Sequence, residues 1–116
     1  MKLTILPIDN AVYKDGISYL LDLTTDNIPN NVHALQFNDV VNAGWIEFVE
    51  DDFGNKQANQ PITELPFWAI TVSAKWDEAK IADDAAKKAA EEANIAAMKA
   101  AAEAAIQPQA TNLPTA

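Results

Sequence analysis

After Pro66 the chain runs through residues 67–107 without a glycine or a proline, and beyond Trp76 alanine is the commonest residue of that stretch. Alanine is the strongest helix former, and glycine and proline are the residues that break helices, so the run is predicted to be one long helix. At about 1.5 Å per residue, roughly 40 residues reach on the order of 60 Å. The sequence left over is too short to cover such an element, so most of it must project or meet another chain. Thr63 supplies an N-cap ahead of Glu64, Leu65 and Pro66, which places proline in the first turn and an acidic side chain at the positive end of the helix dipole.

The residues before the helix alternate instead with a period of two. Asp15-Gly16 is a two-residue hairpin signal, because both positions accept the positive φ that such a turn needs, and it predicts a β-hairpin over residues 11–23. In its second arm Ile17, Tyr19, Leu21 and Leu23 share one face, and Ser18, Leu20 and Asp22 the other. Lys2–Leu6 adds a strand ended by Pro7. Residues 32–37 alternate His33, Leu35 and Phe37 against Val32, Ala34 and Gln36, and residues 45–49 form a further strand reached through Asn42-Ala43-Gly44. Four or five antiparallel strands follow from this pattern. Glu50 to Gln60 is polar, carries Gly54 and reads as an exposed, mobile loop.

The predicted fold class is therefore α+β, a small antiparallel β-meander module followed by a long Ala-rich C-terminal α-helix. The module covers residues 1–62 and the helix 63–106, its first turns packed on the sheet and the remainder projecting; residues 107–116, with Pro108 and Pro114, form a flexible tail. Leu65, Trp68, Val72 and Trp76 make an apolar stripe at helical spacing and are expected to close the core. Beyond them Ala79, Ala82, Ala86, Ala89, Ala93, Ala96 and Ala100 form an unbroken small-residue seam. Such a seam admits a second helix at close range and is the candidate partner-binding surface, including homo-oligomerisation in a coiled coil. Each buried methyl contributes only about 0.8 kcal/mol, however, and alanine also serves an exposed single helix supported by Asp83/Lys87 and Asp84/Lys88 pairs. Ile81, Ile95 and Met98 fall off the seam.

The chemistry that an enzyme or a nucleic-acid binder needs is sparse. The formal charge is −9, and all basic residues are lysines, so clustered phosphate-binding cations are missing and nucleic acid is disfavoured. There is one histidine, His33, and no cysteine, which leaves nucleophilic triads and multi-histidine metal sites without their parts. Glu50, Asp51, Asp52 and Asn55 gather oxygen ligands, yet their order departs from a calcium loop of the EF-hand type and reads as a solvated acidic turn. Glu47 and Glu50 are carboxylates without an evident pocket. The three glycines, Gly16, Gly44 and Gly54, are too far apart to cradle a phosphate. No apolar run is long enough for a membrane span or a signal peptide, so a soluble, non-enzymatic chain without cofactor or metal is expected.

Three segments together resemble small tail-associated proteins of tailed bacteriophages. They are Val32-His33-Ala34-Leu35-Gln36-Phe37, Gly44-Trp45-Ile46-Glu47-Phe48, and Ile62-Thr63-Glu64-Leu65-Pro66-Phe67-Trp68 followed by Lys75-Trp76-Asp77-Glu78-Ala79. The likeness covers roughly residues 11–80; Phe37 stands where tryptophan is usual, and the 50–60 loop is longer. The resemblance implies a protein of the virion tail, made in the host cytoplasm, whose partners are tail-fibre or baseplate proteins. It equally admits a tail-fibre assembly chaperone that leaves before the particle is complete, and it carries no catalytic residue to this chain.

Overall fold

A computed structural model describes residues 1–111, with side chains through Ile106. Six strands precede one helix: β1 (Lys2–Leu6), β2 (Ala11–Lys14), β3 (Ile17–Leu20), β4 (Val32–Asn38), β5 (Ala43–Phe48), β6 (Gln60–Ile62) and α1 (Phe67–Thr111). All strand pairs are antiparallel, in the order β3-β2-β1-β4-β5-β6, so the fold is α+β, a sheet followed by a long C-terminal helix. The described chain divides into two units, Met1–Lys80 and a second that begins at Ile81, within the helix.

The β2–β3 hairpin turns at Asp15 (φ 49°) and Gly16 (φ 83°), the left-handed pair that a two-residue hairpin demands. β1 lies inside the sheet, between β2 and β4, and its Leu3 and Ile5 are fully buried. One face of the sheet carries Leu3, Ile5, Val12, Leu35, Phe37, Ile46 and Phe48, which join Ala69, Val72 and Trp76 of the first helical turns in a single core. Leu65 and Trp68 pack against that core while half-buried.

Four sequence expectations change. The helix begins at Phe67, four residues after the expected start at 63, and the Pro66 carbonyl accepts its first bonds, from the N–H groups of Ala69 at 2.9 Å and Ile70 at 3.1 Å. A residue that precedes proline is disfavoured in the α region, which keeps Leu65 out of the helix and Glu64 off its first turn. Second, the pairing of β4 with β5 shifts between Val32 and Ala34, so that Val32 faces Phe48 and Ala34 faces Glu47. The extra residue is His33, and this bulge turns Val32 into the core beside Leu35 and Phe37 and leaves His33 exposed, reversing its expected face. Third, Gln60–Ile62 forms a sixth strand, too short for its period to be read, with Pro61 tolerated because β6 lies at an edge. The helix continues past the expected end at Ile106 to Thr111, and the rest of the expected flexible tail, residues 112–116, lies outside the described residues.

Candidate protein-interaction site

The helix is fastened to the sheet by Trp76. Its ring is buried, its Nε1 donates to the Ile17 carbonyl oxygen at 3.0 Å, and Tyr19 meets it edge-on with ring centroids 5.5 Å apart. The Lys14 ammonium stands 5.2 Å from the Trp76 ring centroid and bonds the Asp77 carboxylate at 2.7 Å. The adjacent Lys75 donates to Asp26 Oδ2 at 2.7 Å and to the Asp22 carbonyl oxygen at 2.8 Å, while about a turn earlier the Thr71 hydroxyl donates to Asp26 Oδ1 at 3.1 Å. Asp26 is buried, and these donors satisfy both of its oxygens. Asp22 is held below its ordinary carboxylate value, chiefly by the hydroxyl and backbone N–H of Thr24.

The alanine seam has a different environment. Ala79 is half-buried, whereas Ala82, Ala86, Ala89, Ala93, Ala96 and Ala100 are exposed. Ile81, Ile95, Met98 and Ile106 are also exposed, at 57–70%. The expected Lys87–Asp83 pair is present at 2.9 Å, and the Asp83 carboxylate holds the Lys87 ammonium above the ordinary lysine value. The four stripe residues Leu65, Trp68, Val72 and Trp76 thus meet the core, and the seam beyond them retains open faces.

The acidic turn organises itself. Asp51 Oδ1 accepts the backbone N–H groups of Phe53 at 2.9 Å and Asn55 at 2.8 Å, so this carboxylate is occupied in shaping the loop. Among the described residues no three histidine, aspartate or glutamate side chains are grouped to hold a metal ion, and no helix is long and apolar enough to cross a membrane. His33, Phe48, Val49, Glu50 and Lys56 line an open hollow of about 320 Å³. A larger hollow of about 440 Å³ on the uncovered face of the sheet is lined by Thr4, Gln36, Asn38, Val41 and Trp45, among others. Sequence reasoning placed Trp45 in a strand without assigning it a role; its signal was the alternation that puts it opposite Ile46 and Phe48.

In comparison with known proteins, no family model, no curated protein sequence and no solved structure matches the chain.

Proposed function

We propose that the chain is a non-enzymatic tail accessory protein of a bacteriophage particle, which binds tail-fibre or baseplate proteins through its β module and its long helix. The observation that carries this reading is the helix from Ile81 to Ile106, where an alanine seam and four exposed large apolar side chains lie on one continuous element. Exposed alanines alone are ordinary in a stable helix. Isoleucines at positions 81, 95 and 106 are not favoured there by helix propensity, and their burial against another chain would contribute about 1.5–3 kcal/mol each. The resemblance of the Val32–Phe37, Gly44–Phe48 and Ile62–Trp68 segments to tail-associated proteins supplies the biological setting. The test is the protein composition of purified particles: stoichiometric presence supports a tail component. Absence from the particle, together with co-purification with unassembled fibre chains, replaces it with an assembly chaperone.

A further inference from the structure

We infer that the chain pairs with a second copy of itself along β3, making one continuous sheet across a twofold axis. The sheet is open, with β3 at one edge and β6 at the other, and the two edges are not alike. β6 has three residues, and its central Pro61 lacks an N–H, so it is a poor template for a further strand. β3 has the sequence Ile17-Ser18-Tyr19-Leu20, with no proline and no charge; Ile17 is 44% exposed and Leu20 81%. Exposed edges are usually blunted by lysine, proline or a bulge, and β3 carries none of these.

The backbone phase fixes which groups are free to pair. Ile17 faces Lys14 across the turn and Tyr19 faces Val12, and the next bond of the same phase runs from the Leu21 N–H to the Asn10 carbonyl oxygen at 2.8 Å. In an antiparallel ladder the intervening residues direct their N–H and C=O groups to the opposite side, so those of Ser18 and Leu20 point away from β2. An antiparallel partner with Tyr19 on the axis then sets Ser18 against the partner's Leu20 and Leu20 against the partner's Ser18, which closes both hydrogen-bonded pairs at once. In that register Ile17 lies opposite the partner's Leu21, apolar against apolar, and Asp22 lies opposite the partner's Gly16, so no like charges face each other directly. Because the twofold contact uses the β3 edge of both copies and leaves only the poorly templating β6 edges, the association ends at two copies and does not grow into a filament.

The contact is small, in the class of weak interfaces, so the dimer is looked for at about 100 µM. Each copy carries a net charge of −9, whose mutual repulsion salt screens, so the dimer tightens as ionic strength rises. Sedimentation equilibrium should return twice 12.6 kDa for the parent chain. Two variants attack the edge without touching the β2–β3 bonds: Ser18→Pro removes an outward donor, and Leu20→Lys places a charge on an exposed side chain. Each should raise the dimer dissociation constant at least ~10-fold, with unchanged helical circular dichroism. The variant Ala89→Glu/Ala93→Glu, which alters the helix seam, should remain dimeric. A monomeric parent at every ionic strength overturns the inference, as does a dimer that survives both β3 variants. A dimer lost only in the seam variant also overturns it, and assigns self-association to the helix. The reading as a tail protein stands or falls separately, on the composition of the particle.

Discussion

The indole Nε1 of Trp76 donates to the backbone carbonyl oxygen of Ile17 at 3.0 Å, and this bond joins α1 to the start of β3, immediately after the Asp15-Gly16 turn. Around it the edge of Tyr19 and the ammonium of Lys14 occupy two further sides of the same ring. A single side chain therefore couples the helix to the hairpin that lies furthest from the centre of the sheet.

Trp76 should consequently matter more to stability than Trp68, which is only half-buried. Truncation of a buried tryptophan to alanine costs about 3–5 kcal/mol, and Trp76→Ala also removes the donor to Ile17. Trp68→Ala should cost roughly half as much, in proportion to the apolar area it removes from water. Urea denaturation of the two variants checks the order, and a larger loss for Trp68→Ala would contradict the packing described.

A second prediction concerns Asp26, whose side chain is 4% exposed while that of Lys75 is 34% exposed. Removing one partner of a buried pair costs about 3–5 kcal/mol, and the partial exposure of Lys75 lowers the expectation for Lys75→Ala to about 2–3 kcal/mol. The single Thr71 hydroxyl proton is shared between Asp26 Oδ1 at 3.1 Å and the Trp68 carbonyl oxygen at 2.8 Å, so Asp26→Ala leaves that hydroxyl satisfied and deprives only the Lys75 ammonium of its ion-pair partner. The double variant should be less destabilised than the sum of the two single ones, as read from a double-mutant cycle in urea. Additivity within about 0.5 kcal/mol would show the pair to be uncoupled.

The elements with strong local signals were legible in the sequence. Asp15-Gly16 marked the hairpin, Pro7 marked the end of β1, and the spacing of Val72 and Trp76 marked the face of α1 that meets the core. What escaped was set by pairing or by a neighbour. The bulge at His33 arises where β4 must match β5, and no single-strand pattern encodes it. The helix start moved because proline restricts the residue before it, a constraint that competes with the capping signal at Thr63. The Asp26–Lys75 bond spans 49 residues of sequence, so neither residue's local context announces it. For the candidate interaction site, the seam was visible as spacing alone, and its exposure became evident only once the core was assigned elsewhere.

Gly44 sits opposite Phe37 in the β4–β5 pair, and a Cβ at that position would overlap the carbonyl oxygen of Gln36. Backbone cannot yield as a flexible side chain can, so Gly44→Ala must separate β4 and β5 locally. Overpacking of this kind costs about 1–3 kcal/mol, and the damage should concentrate in β4 and β5. Amide hydrogen exchange should accelerate at Gln36 and Trp45, the pair whose N–H groups lie in the phase that joins β4 to β5, before it does in β2. Wild-type protection in the variant would mean that the strands tolerate the methyl group.

The last prediction separates the two uses of alanine in the helix. Ala89 and Ala93 are exposed seam residues, and glutamate is itself a good helix former, so Ala89→Glu/Ala93→Glu should cost only a few tenths of a kcal/mol in helix propensity per site. Circular dichroism should therefore stay close to that of the parent. Close approach of another helix, by contrast, requires small side chains, and two glutamates place bulk and charge in that gap. Lys87→Glu/Lys88→Glu makes a larger change in charge off the seam, twice that of the alanine variant; it removes the Lys87–Asp83 bond, whose lysine is 73% exposed and contributes little to stability. If the seam meets a partner, the alanine variant loses co-purification with tail-fibre or baseplate proteins while the lysine variant keeps it at a lowered net charge. Equal retention by both variants would leave the alanines explained by helix propensity alone, and the search for contacts would move to the exposed isoleucines and to the sheet.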